Sequence, residues 1–277
     1  TMSPATKVAA MLVMAATAAG VVAGEIPKSL SSEHDRIVVS HRPQGATSAA
    51  FQLHYFCLQG LGELPRLILE ISQTPYDSVM YFTTKEYKSF APFGQMPVLH
   101  VKKDDGSEAW LAQSGAIVRY LSKKLGLSGA TEEEESMVDM VFEGSKDIMG
   151  KKPAVHEAVD SDSTDAQRLR MYLEKSEGLL GSKQYFVGDK LTYADVGMFH
   201  ALYTLQEVGD KYLDRAGYKS LSAFVTRMAS LPSLSAYLSS ERRVPLTEKE
   251  LGKGSDKYIY TRELPEGMIR EEGKKEL

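Results

Sequence analysis

The chain has 277 residues, 43% of them hydrophobic and 25% charged, enough for one large domain or two ordinary ones whose core needs no disulfide or metal. Its net charge of -4 is mixed in sign and no Lys/Arg stripe stands out, so nucleic acid is not an expected partner. A single cysteine, Cys57, excludes an intramolecular disulfide and Cys-rich zinc sites, and the absence of Asn excludes an N-glycosylation acceptor.

Lys7 precedes an apolar run from Val8 to Ala23, and Val22-Ala23-Gly24 are small, which is the layout of a secretory signal peptide over residues 1–24; a short anchor or a leader with no targeting role are the other readings. As a helix this run would be about 24 Å long, short of the ~30 Å hydrocarbon core, so no stable membrane span is expected. Residues 25–50 are polar and aperiodic, with Pro27, Pro43 and Gly45, and read as a linker. A plastid-targeting stretch is a competing reading of them, opposed by Glu25, Glu33 and Asp35.

Structure is expected to begin at Phe51. Phe51–Phe56 reads as a strand, and Glu63–Gln73 as a helix with Leu64, Leu67, Ile68 and Ile71 at helical spacing. Pro65 fits only the first turn of that helix. Asp77–Phe82 reads as a second strand, giving a β-α-β unit that favours parallel pairing. A short helical segment near Lys85–Phe90 follows. Val98–Val101 and Ala109–Leu111 are two more strands joined by the hairpin signal Asp104-Asp105-Gly106, and Ser114–Leu125 is an amphipathic helix. This makes a mixed four-stranded sheet in a domain over 51–126, with a boundary at Gly126–Gly129. The pattern then turns wholly helical, near 132–150, 164–181, 193–209, 220–230 and 232–239, within a domain over 130–246. Residues 247–277 read as a charged surface tail. The tail ends Lys274-Lys275-Glu276-Leu277, close to the Lys-Asp-Glu-Leu address of the endoplasmic reticulum. With the leader, this ending predicts a lumenal location; cytoplasm and plastid are the alternatives.

Phe93-Gly94-Gln95-Met96-Pro97-Val98-Leu99 puts a proline directly before a strand, a place for a strand start or a cis turn. In Ala112-Gln113-Ser114-Gly115-Ala116-Ile117, Ser114 stands where a helix N-cap belongs. A helix N-terminus is an anion site, and a carboxylate placed there would also meet the Gln113 and Ser114 side chains.

These blocks, with Leu53-His54-Tyr55-Phe56, resemble the amino-terminal domain of glutathione transferases, most closely the sigma class with its prostaglandin D synthases. Tyr185–Asp195 and Leu231–Leu238 resemble the same family's helical domain, so the resemblance spans residues 51–245. It implies a thioredoxin-like α/β domain followed by an all-α domain, with glutathione as co-substrate and no metal. It implies Tyr55 as the catalytic tyrosine. Gln113 and Ser114 fall where the γ-glutamyl carboxylate is held, and Met96, before an expected cis-Pro97, where backbone groups meet the cysteinyl part. Lys88 and Gln95 match positions that reach the glycyl end. Asp147 matches, in a looser alignment, an acidic residue that reaches a partner subunit's site in a homodimer. The acceptor is expected to be a small apolar electrophile, in a pocket lined by Phe56, Leu58, residues from Met140 to Met149 and the tail.

The chemistry calls for these residue types. A free thiol with a pKa near 8.5 is only about 3% thiolate at pH 7, and the thiolate is the nucleophile. A phenol O–H aimed at the sulfur stabilises the anion. Two departures from the family pattern stand out. Leu61 occupies the position, six after the tyrosine, where the sigma class carries an Arg, which leaves Arg66 or a water as substitutes. Thr84 stands where an aromatic is usual.

Blander readings apply elsewhere. Cys57 is either a buried thiol or a nucleophile lying too far from the first helix. Glu132–Glu135 suit a helix N-terminus, Thr192–Asp195 has capping-box spacing, and His100, His156 and His200 show no metal-like spacing. The leading expectation is an enzyme that conjugates glutathione, with isomerase or peroxidase side activity open to the same thiolate. The alternative is a non-catalytic binding or crystallin-like structural protein on the same fold.

Overall fold

The computed structural model describes residues 36–41, 49–56, 58–81, 87–151, 162–240, 242–244 and 246. The leader at 1–24, Cys57, Thr84, His156 and the tail at 247–277 lie outside them.

The sheet has five strands: β1 (Arg36–His41), β2 (Phe51–Phe56), β3 (Tyr76–Tyr81), β4 (Val98–Lys102) and β5 (Glu108–Ala112). Their order is β1-β3-β2-β4-β5. β2 pairs parallel with β3, and every other pairing is antiparallel, so the sheet is mixed as expected. The count of four strands is corrected to five. β1 lies in the stretch read as linker and pairs along the outer edge of β3. An unpaired β3 edge would expose a row of backbone donors and acceptors, and the β-branched run Ile37-Val38-Val39 suits a strand that covers it.

Helix α1 (Glu63–Ile71) follows a 3-10 turn at Gly60–Gly62. Pro65 lies in its first turn, where a missing N–H leaves no bond unmade. Every residue of α1 from Glu63 to Glu70 is buried, charged ones included. The charges are compensated in place. Arg66 donates to Glu63 at 3.1 Å, Tyr76 Oη to Glu70 at 2.8 Å, and Arg242 pairs with Glu70. Helix α2 (Tyr87–Phe90) and helix α3 (Ser114–Lys124) complete the order β-α-β-α-β-β-α behind β1. This is the thioredoxin-like arrangement.

The remaining helices are α4 (Glu132–Gly150), α5 (Thr164–Leu180), α6 (Tyr193–Val208), α7 (Tyr212–Arg215), α8 (Lys219–Ala229) and α9 (Pro232–Leu238). The short α7 has no counterpart in the periodicity reading, since four residues are too few to show a period. Thr131 caps α4 and Ser163 caps α5 through side-chain oxygens. Thr192 and Asp195 form a capping box at α6, and Asp195, fully buried, also accepts from the Phe186 N–H at 2.8 Å. Gly197 lets α6 approach α4, because a Cβ there would stand 2.7 Å from Ser145 Oγ and 3.0 Å from the Phe142 ring.

The chain divides into two compact units. Among the described residues, one holds those up to Ile117 together with 239–244, and the other holds 118–238 with Leu246. The division falls inside α3. Residues 239–244 group with the sheet, not with the helices they follow.

Candidate active site

Sheet register brings the three sequence blocks together. Val98 at the start of β4 pairs with His54 on one side and Ala112 on the other. β4 runs antiparallel to both neighbours, so the residue after His54, the residue before Val98 and the residue after Ala112 lie at the same end of the β2-β4-β5 ladder. These are Tyr55, Pro97 and Gln113. Adjacent strands stand about 4.8 Å apart, which sets these three in a row about 10 Å across.

Tyr55 is 6% exposed and shares the face of β2 with Phe51 and Leu53. Its phenol oxygen accepts a hydrogen bond from the Leu61 backbone N–H at 3.0 Å. The turn between them is shaped by two glycines. Gly60 has φ +38°, and a Cβ on it would lie 2.7 Å from the phenol oxygen. A Cβ on Gly62 would lie 2.4 Å from the ring of Tyr55. Arg66 places its guanidinium carbon 5.9 Å from the ring centroid and donates to the Leu58 carbonyl at 3.1 Å. The Leu61 side chain is 60% exposed, so this residue serves the phenol through its backbone.

The Met96–Pro97 peptide is cis, as the family resemblance implied. Pro97 is buried, while Met96 packs with Tyr87 and Phe90 against Ala91, Val98 and Ala112. That packing sets α2 over the same end of the sheet, and the Phe56 and Tyr87 rings meet edge to face at 5.8 Å. Lys88 on α2 and Gln95 before the cis bond are exposed.

Gln113 is exposed and left-handed, with φ +73°. Its carbonyl accepts the first bond of α3 from the Ile117 N–H at 2.9 Å, so Gln113 takes the capping position and Ser114 is the first helical residue. The cap therefore stands one residue earlier than the sequence reading had it. The first N–H groups of α3 then point out of this end of the sheet unit, a natural seat for a carboxylate. Asp147 is exposed on α4, in the other unit.

The Leu61 amide and its glycine turn were missed by reasoning from side chains. Gly60-Leu61-Gly62 marks a turn by composition, but no sequence pattern says where a backbone N–H will aim. His100, judged non-metal, is buried, hydrogen-bonded to Gln52 at 3.0 Å and stacked on Trp110 at 4.1 Å.

Comparison with known proteins identifies the family. Residues 64–124 match the family model described as glutathione S-transferase, N-terminal domain, and residues 139–241 the one described as glutathione S-transferase, C-terminal domain. A glutathione S-transferase of Dirofilaria immitis is 32% identical over 203 residues, covering 68% of this chain and 91% of that protein. The solved structure of a Caenorhabditis elegans glutathione S-transferase is similar with a TM-score of 0.58 at 29% identity, over 70% of this chain and 98% of the other. A sigma class enzyme of Fasciola hepatica shares the fold, with a TM-score of 0.57 at 23% identity over 68% and 94%.

Proposed function

The chain belongs to the glutathione S-transferase family, and from that premise we propose that it transfers glutathione to small electrophiles through a thiolate stabilised by the Tyr55 hydroxyl. Glutathione is the family's co-substrate, and the chemistry lies in making its thiol nucleophilic. The observation that carries the reading is the hydrogen bond from the Leu61 N–H to Tyr55 Oη. A phenol has one O–H to donate. With an amide donating to its oxygen, the proton is directed to another acceptor, and the glutathione sulfur is the acceptor this reading assigns. Lowering the thiol pKa by two units is worth about 2.7 kcal/mol and makes the thiolate the major form at neutral pH.

The remaining residues position the peptide. Gln113, Ser114 and the α3 N-terminus hold the γ-glutamyl carboxylate. The Met96 backbone ahead of Pro97 pairs with the cysteinyl part, and Lys88 and Gln95 reach the glycyl carboxylate. In a homodimer Asp147 serves the partner's site. The electrophile is small and apolar, with isomerisation or peroxide reduction as side reactions of the same thiolate.

Two measurements test this on the full chain: retention on immobilised glutathione, and conjugation of glutathione to a chromogenic aryl halide. Retention with turnover is expected. Retention without turnover establishes the non-catalytic alternative, and loss of both defeats the reading.

A further inference from the structure

We propose that residues 242–244 brace the Tyr55 turn from outside, with Gln59 as the positioning residue that joins the two. The proposal rests on the reading of Tyr55 as the group that stabilises the thiolate.

The turn carries two glycines in three residues, so its own backbone does little to fix where the Leu61 N–H points. Two chains of contacts reach it from the carboxyl-terminal segment. The first is neutral. Gln59 is 3% exposed, and its Nε2 donates to the Val244 carbonyl at 2.9 Å across 185 positions of sequence. Val244 is fully buried, so water does not compete for that bond. The Gln59 carbonyl in turn accepts from the Glu63 N–H at 2.8 Å, spanning the glycine turn. The second chain is ionic. Arg243 lies 3.8 Å from one oxygen of Glu63, and the other oxygen accepts from Arg66 at 3.1 Å. The same Arg66 nitrogen donates to the Leu58 carbonyl at 3.1 Å. Both chains end on Leu58 and Gln59, the residues directly ahead of Gly60. Arg242 anchors the segment further along α1, on Glu70. A segment that only covered apolar surface would need none of these directed bonds.

The prediction is that loosening the brace changes how well the phenol stabilises the thiolate, while glutathione still binds. Gln59→Met keeps the volume and removes the donor. The test follows the ultraviolet thiolate absorbance of bound glutathione against pH in the full chain, for the wild type, Gln59→Met and Tyr55→Phe. In Gln59→Met the thiolate fraction at about pH 6.5 is expected to fall about three- to tenfold, with the KM for glutathione within about twofold. A shifted midpoint in Tyr55→Phe but not in Gln59→Met overturns the brace and leaves the Tyr55 reading standing. Unshifted midpoints in both overturn both. Should Gln59→Met fail to fold, Arg243→Met decides. A shift that Arg243→Lys reverses supports the brace, and no shift overturns it.

Discussion

At Tyr55 the chemistry turns on a single proton. The phenol oxygen takes the Leu61 N–H at 3.0 Å, and in the proposed reading its O–H serves the glutathione sulfur. Removing that O–H leaves the positioning groups in place, so Tyr55→Phe is expected to lower turnover about ten- to a thousandfold with glutathione affinity nearly unchanged. Steady-state kinetics with an aryl halide check this, and an unchanged rate would mean another group activates the thiol. Ser114 should behave in the opposite way. It is half-buried at the first position of α3, at a helix N-terminus that suits an anion. Ser114→Ala is expected to raise the KM for glutathione several-fold and to change kcat less. Equal affinity in the variant and the wild type would remove Ser114 from the site.

Among the elements, α6 depends most on one side chain. Asp195 accepts from the Thr192 N–H at 2.9 Å, Thr192 Oγ1 at 3.0 Å and the Phe186 N–H at 2.8 Å. The carboxylate thus ends a helix and also ties down the segment that leads into it. Asp195→Ala would leave these donors buried and unpaired. The expected loss is about 2–4 kcal/mol of stability, read as a lower midpoint in denaturant. A midpoint within error of the wild type would show that the helix start relaxes to find other partners. The turn before α1 obeys a different rule. Gly62 has φ -83°, which any residue adopts, so it is required for space beside the Tyr55 ring rather than for conformation.

For the whole molecule, the homodimer is the prediction with the widest reach. Met137 and Met140 are 49% and 55% exposed on α4, and Gly144 and Asp147 continue the same helix face. The two exposed methionines on this 19-residue helix are the expected contact for a second copy. Light scattering at micromolar concentration should give twice the chain mass, and Met140→Glu should shift the population toward monomer. A wild-type monomer would defeat the dimer and take from Asp147 its proposed role.

Periodicity and punctuation alone placed β2 to β5 and every helix of α1 to α9 except α7, because each carries its own apolar period or its own turn signals. The capping box at Thr192 was legible for the same reason: a few adjacent residues decide it; at Pro97 they left a strand start or a cis turn open, and the cis bond was expected from the family resemblance. β1 was not legible, since its partner is the edge of β3, some 40 positions downstream, and nothing local distinguishes a strand from a lead-in. Nor was the burial of Glu63, Arg66 and Glu70, whose partners include Arg242 and Arg243 at the far end of the chain. The Leu61 amide is the clearest case. A side chain's chemistry can be read from its letter, but every residue except proline has a backbone N–H, and only the folded turn decides which one meets the phenol.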